Sequence, residues 1–153
     1  MISLFGFEHG SGPPPGDFHS VDGILHCIGS EAGARLVRLA ERYELVWATG
    51  WEDKANDYLP PLLGIPSKLP TLTFDGRAVF GTAHWKLQAI GEYAGNRPAA
   101  WIDDSLDERC TRWAAARRAP TLLVQTDPAI GITDEQVERL LRFADEEAPT
   151  AAT

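Results

Sequence analysis

Short apolar runs that alternate with helical segments are the feature of this sequence that most restricts its fold. The runs at 44–50 (ELVWATG), 99–103 (AAWID) and 121–126 (TLLVQT) are almost continuously apolar, which is typical of strands buried on both faces. Apolar residues recur at helical spacing between these runs. The alternation predicts an α/β fold, a three-layer Rossmann-like sandwich with a mainly parallel sheet.

Capping residues and breakers set the expected limits of the helices. Five helices are expected: from a cap at Ser30, over 52–58 until Pro60-Pro61 breaks it, over 84–95 with Gly95 closing it, over 107–117, and from a cap at 133–135. Asp-Gly pairs are typical of tight β-turns, so two hairpins are expected. They are centred on Asp22-Gly23 and, within residues 71–80, on Asp75-Gly76.

Size and charge restrict the partners. With 153 residues, the chain is long enough to form one hydrophobic core. Its net charge is −8, and it has no basic stripe that could neutralise phosphates. We therefore expect a single domain over residues 1–147, of which 1–29 form a loop and a hairpin, with a disordered tail at 148–153. Nucleic acid is not an expected partner.

Membrane and redox features are also lacking in the sequence. No apolar run is long enough to cross a bilayer and no charged-then-apolar leader is seen, so a cytoplasmic protein is expected. Cys27 and Cys110 lie far apart without metal-ligand spacing, which favours ordinary reduced thiols.

The ends of the predicted strands are the candidate functional positions, because parallel sheets bind ligands outside their carboxyl ends. These ends are Thr49, Asp103-Asp104 and Thr126-Asp127. Two adjacent carboxylates repel each other unless a cation neutralises them, and Mg²⁺ prefers oxygen ligands, so Asp103 and Asp104 are candidate metal ligands. The alternative is that Asp104 or Ser105 only caps the following helix.

Thr49 with its neighbour Gly50, Trp51 and Lys86 could form a site for an anionic group. The Thr49 hydroxyl and the backbone at Gly50 could donate to phosphate oxygens, Trp51 could wall the pocket, and Lys86 could neutralise a phosphoryl charge. Each has a structural alternative: a β-branched residue that closes a strand, a core tryptophan and a solvated lysine. Nearby His84 is interpreted as structural.

The order of these motifs resembles that of the haloacid dehalogenase-like (HAD-like) superfamily. Its second, third and fourth motifs are a strand ending in Thr or Ser, a later basic residue and an acidic pair after a strand. They are matched by LVWATG with Thr49, by HWK with Lys86 and by WIDDS with Asp103 and Asp104. The resemblance covers residues 18–145. It implies Mg²⁺ as cofactor, a small phosphorylated substrate, catalytic roles for Thr49 and Lys86, and metal binding by Asp103 and Asp104.

The first motif of the family, Asp-x-Asp at the end of the central strand, is missing ahead of Thr49. Its first aspartate is the nucleophile and its second the general acid and base. Either SVDGIL is a decayed copy with Ser20 in place of the nucleophile, or the motif lies upstream of Met1. The preceding PPPGDFH argues against a central strand at that place, so the second explanation is preferred. The central strand is then expected to be absent, or replaced by residues 1–7.

The resemblance implies a Mg²⁺-dependent phosphatase or phosphoryl-transfer enzyme that is inactive as written, because its nucleophile is absent. The alternative is a non-catalytic HAD-like binding module. A nucleic-acid end-processing role is disfavoured by the acidic charge.

Overall fold

A computed structural model describes residues 2–7, 12–79 and 81–147. These residues form a mixed α/β structure with one antiparallel and one parallel sheet. The strands are β1 (Ser3–Leu4), β2 (Gly16–Val21), β3 (Ile24–Gly29), β4 (Ala99–Asp103) and β5 (Thr121–Gln125). The helices are α1 (Ala32–Ala40), α2 (Ala55–Leu63), α3 (Leu87–Ala94), α4 (Glu108–Ala116) and α5 (Asp134–Glu147). Short 3₁₀ turns, Glu52–Lys54 and His84–Lys86, precede α2 and α3.

The antiparallel sheet contains the first predicted hairpin. Strands β2 and β3 pair from Gly16 opposite Gly29 to Val21 opposite Ile24. Asp22 and Gly23 connect them at φ 51° and 78°, the left-handed backbone that a two-residue hairpin turn requires. The hairpin is confirmed, and Ser20 lies within β2 beside this turn rather than at the end of a central strand.

Of the two expectations for the central strand, absence or replacement by residues 1–7, the replacement is wrong for residues 2–7, the part of this segment that the structure describes. Strand β1 pairs antiparallel with β3, at Ser3–Ile28 and Leu4–Cys27, and the sheet order is β1-β3-β2. Burial explains this choice, because Ile2 and Leu4 enter the core beside the hairpin.

The parallel sheet consists of β4 and β5, paired from Ala99–Thr121 to Asp103–Gln125. Both strands were predicted. The predicted strand at 44–50 is extended but makes one parallel bridge, between Trp47 and Thr71. Around Asp75-Gly76 the chain turns at φ 51° and 70° without a strand ladder, so the second hairpin is not formed in the described part of 71–80; residue 80 lies outside the described residues.

Two helix limits differ from the prediction. Helix α1 begins after Glu31 without a side-chain cap, so Ser30 does not cap it. Helix α2 runs through Pro60 and Pro61 to Gly64, which adopts a left-handed conformation. The prolines remove two intrahelical donors, but Leu59 and Leu63 are buried, and this packing compensates for the lost hydrogen bonds.

Two clusters of buried residues form the core. One contains residues of α1, α2 and α5 together with Trp47 and Val124, and the other contains Trp101, Ile90 of α3 and Cys110 of α4. Residues of β4 contribute to both clusters, since Ala100 and Ile102 pack on the first and Trp101 belongs to the second. The expected tail at 148–153 lies outside the described residues.

Gly33 marks the closest contact between α1 and α2. A Cβ atom at this position would lie 1.9 Å from the backbone oxygen of Leu63. We expect Gly33→Ala to destabilise the protein by roughly 1–3 kcal/mol, because backbone must move to admit a methyl group. Urea denaturation measures this loss, with Gly29→Ala, where the nearest atom is a side-chain carbon at 3.5 Å, as the control. Equal stabilities for the two variants would contradict the close contact.

Candidate functional site

The end of β4 carries the two carboxylates that the sequence singled out. Asp103 is 7% exposed, and both its oxygens are bonded: Oδ2 accepts from Lys86 Nζ at 2.6 Å and Oδ1 from the Ser105 amide at 3.0 Å. Asp104 is half-buried and accepts a hydrogen bond from the Ser105 hydroxyl at 3.0 Å. The Lys86 ammonium group thus compensates for the negative charge of Asp103.

Helix α4 is capped by Asp107, and neither Asp104 nor Ser105 has that role. One Asp107 oxygen accepts from the amides of Arg109 and Cys110, at 2.9 and 3.1 Å. The other oxygen lies 2.6 Å from His84 Nδ1. The hydrogen bond to His84 and these backbone amides lower the pKa of Asp107 to about 2. The capping alternative for the acidic pair is therefore excluded.

Lys86 is held by the 3₁₀ turn His84–Lys86. Its amide donates to the Ala83 carbonyl at 3.0 Å, and the Trp85 indole donates to the Thr82 carbonyl at 2.8 Å. The Lys86 ammonium nitrogen lies 5.3 Å from the centroid of the Trp85 ring. His84 joins this turn to Asp107, the capping residue of α4. The backbone that carries Lys86 is therefore held in place beside Asp103. The side chain of Lys86 is 13% exposed and is not a freely solvated lysine.

The segment after residue 48 forms the opposite wall. The Thr49 hydroxyl accepts from the Trp51 amide at 3.3 Å, and a hydroxyl in this arrangement can still donate its own hydrogen. Gly50 lies beside Trp85, since a Cβ on Gly50 would be 3.9 Å from that ring. The Trp51 ring meets His26 of β3 edge-on at 4.9 Å between centroids.

One large cavity joins these elements. Its volume is about 1090 Å³, and Thr49, Trp51, Lys86, Asp103 and Asp104 all line it. The structure thus brings most of the sequence-predicted site residues to one place; Gly50 is adjacent without lining the cavity. Thr126 is buried and, with Asp127, lies outside the lining.

His26 is a lining residue that the sequence interpretation missed. Its Nδ1 atom lies 2.9 Å from the Ser3 hydroxyl, which links the hairpin to β1. No spacing or motif marks His26, because its place at the cavity depends on how the hairpin folds over Trp51.

The charges at this end of the cavity restrict its ligands. An anionic group that binds here meets the Lys86 cation beside two carboxylates, Asp103 and Asp104. The described residues contain no group of three or more His, Cys, Asp or Glu side chains that could hold a metal ion. Mg²⁺ can bind through one or two carboxylates when phosphate and water supply its other ligands. Asp103 and Asp104 meet that minimal requirement.

Comparisons with known proteins identify no relative. No protein-family model, curated protein or solved structure matches the chain. In the part of the chain that the structure describes, every helix is too short or too polar to cross a membrane.

Proposed function

We propose that the chain is a HAD-like domain whose cavity binds a small phosphorylated molecule together with Mg²⁺. The observation that carries the proposal is the convergence of Thr49, Lys86, Asp103 and Asp104 on one cavity. Each of these side chains could have another role alone. Around one cavity, however, a hydroxyl donor and a lysine suit a phosphate group, and a pair of carboxylates suits a divalent metal ion.

The packing supports a three-layer sandwich as the fold of this domain. Successive residues in the extended segments alternate between the two core clusters, as in a sheet covered on both faces. Leu45, Trp47, Ala100, Ile102, Leu122 and Val124 pack in the first cluster, and Val46, Ala48, Trp101 and Leu123 pack in the second.

The residues have distinct roles in this proposal. The Thr49 hydroxyl and the Gly50 backbone donate to phosphoryl oxygens, and Trp51 walls the substrate. Lys86 stabilises the phosphoryl charge and holds Asp103 in place. Asp104, with Asp103, would hold Mg²⁺, which supplies charge neutralisation to the phosphate.

Turnover through a covalent intermediate requires a carboxylate with a free oxygen to attack phosphorus. The proposal assigns Asp103 and Asp104, the two carboxylates beside Lys86, to Mg²⁺, so neither is left to act as the nucleophile. This observation favours the second candidate function for the chain as written, a binding module without catalysis.

Isothermal titration with inorganic phosphate in the presence of Mg²⁺ tests binding. We expect Thr49→Val to weaken phosphate binding about tenfold or more, because hydrogen bonds to charged groups contribute about 1.5–3 kcal/mol. Asp104→Asn should also weaken it, because the variant loses a charged ligand of Mg²⁺. Lys54→Ala, which removes an exposed lysine paired with Asp22, is the control and should bind normally. Unchanged affinity in both site variants would refute the assignment. A parallel assay with p-nitrophenyl phosphate separates the two functions, since only an enzyme releases nitrophenol.

A further inference from the structure

The antiparallel sheet ends in a free strand edge among the residues described. Strand β2 pairs with β3 along its whole length, and none of the described strands pairs with its other side. The two-residue turn makes Val21 and Ile24 a hydrogen-bonded pair, and hydrogen-bonded and non-hydrogen-bonded pairs alternate from there. The backbone amides and carbonyls of Phe18 and Ser20 therefore point away from β3, and no described backbone group bonds to them.

The edge of β2 lacks the features that usually prevent strand edges from pairing. Lysine, proline, a β-bulge or a very short strand commonly protects such an edge. Residues 16–21 (GDFHSV) contain neither lysine nor proline, and their one-to-one register with β3 leaves no bulge. The Phe18 side chain projects from this strand with 46% of its surface exposed. Such an edge can serve as the template for another strand.

The residues along this edge make the strand complementary to itself. In an antiparallel pair with Phe18 opposite its own copy, Asp17 of each copy faces His19 of the other. An imidazole N–H can donate to a carboxylate whether or not the ring is protonated. Among the described residues, neither of these two side chains has a hydrogen bond or an ion pair. Both are therefore available to a second copy, and the order Asp17-Phe18-His19 matches itself when it is reversed.

We propose that β2 is the interface of a symmetric dimer, in which β2 of a second copy of this chain adds antiparallel to the free edge. The two-fold axis passes between the two Phe18 residues, which exchange backbone hydrogen bonds. Their rings meet on one face of the joined sheet, each beside Phe7, whose ring centroid lies 6.3 Å from that of Phe18. Asp17 and His19 pair on the other face, because side chains alternate along a strand. Residues 16–21, all of them described, lie outside the cavity lining, so the inference is independent of the phosphate-binding proposal.

Sedimentation equilibrium from micromolar to millimolar concentrations tests the dimer on the full chain. Two short strands form a small interface, so we expect a weak dimer, with an average mass that rises from 16.7 kDa towards twice this value. Ser20→Pro removes an outward amide and none of the β2–β3 hydrogen bonds, so this variant should remain monomeric. Leu25→Pro, directly opposite in β3, is the matched control and should still dimerise, because the Leu25 amide points away from β2. A wild-type chain that stays monomeric, or equal effects of the two prolines, would overturn the proposal.

An exchange of the two polar residues tests the register of the dimer. His19→Asp places a second carboxylate opposite Asp17 in both symmetric pairs, so it should weaken dimerisation about tenfold or more. The double variant Asp17→His, His19→Asp restores an acid opposite an imidazole only if position 17 faces position 19 of the second copy, and it should dimerise like wild type. Asn96→Asp adds the same charge at an exposed position outside β2 and should leave dimerisation unchanged. A double variant as weak as His19→Asp would refute this register.

Discussion

Replacing Lys86 by methionine is expected to destabilise the protein by about 3–5 kcal/mol, the range found when one partner of a buried ion pair is removed. Methionine preserves most of the volume of the side chain and removes the charge. Asp103, whose side chain is 9% exposed, would keep its negative charge with only the Ser105 amide as donor. Guanidinium chloride denaturation of the purified variant measures the loss.

The double variant Lys86→Met, Asp103→Asn identifies the cause. It removes both charges, so it should recover part of the stability lost in the single variant. Arg97→Met breaks the exposed pair with Glu44 and is the surface control, for which a much smaller loss is expected. A Lys86→Met protein as stable as the Arg97→Met control would show that the Lys86–Asp103 contact is not a buried pair.

Asn56→Ala is expected to cost about 3 kcal/mol or more, because Asn56 is a buried hub of hydrogen bonds at the start of α2. Its Oδ1 accepts from the Trp47 indole at 3.1 Å and the Leu69 amide at 3.0 Å. Its Nδ2 donates to the Leu69 carbonyl at 2.8 Å. Alanine leaves these three partners unsatisfied, and each unsatisfied buried group costs about 1–3 kcal/mol.

Thermal and urea denaturation of three variants measure this effect. Asn56→Asp retains the acceptor and loses the donor, so it should fall between wild type and Asn56→Ala. Asn96→Ala, at an exposed position after α3, should remain close to wild type. An Asn56→Ala protein with wild-type stability would mean that water satisfies the three partners.

Local chemistry explains which elements could be predicted from the sequence. The Asp22-Gly23 turn is confirmed because its residues accept left-handed backbone and the flanking strands can pair with each other. Asp75-Gly76 forms the same kind of turn, but Thr71 pairs with Trp47 instead. The Asp-Gly pairs therefore predicted where the chain turns. Which segments pair beside each turn depended on residues distant in the sequence.

The charged residues of the candidate site could be predicted, because carboxylates and a lysine indicate their chemistry by residue type alone. The acidic pair Asp103-Asp104 after AAWI and the lysine after His84-Trp85 were visible in the sequence, and the structure pairs Lys86 with Asp103. Asn56 and His26 were missed because an isolated asparagine or histidine has no pattern until its partners are brought together. The roles in phosphate and metal binding remain predictions.

The carboxylate of Asp107 has a mechanical consequence for ligand binding. It caps α4 with one oxygen and contacts His84 with the other, so the turn that carries Lys86 is attached to the first turn of that helix. In the proposed phosphate site, this attachment would hold the ammonium group in position before an anion binds, so little conformational entropy would be lost on binding. Recognition at this end should approach lock-and-key behaviour.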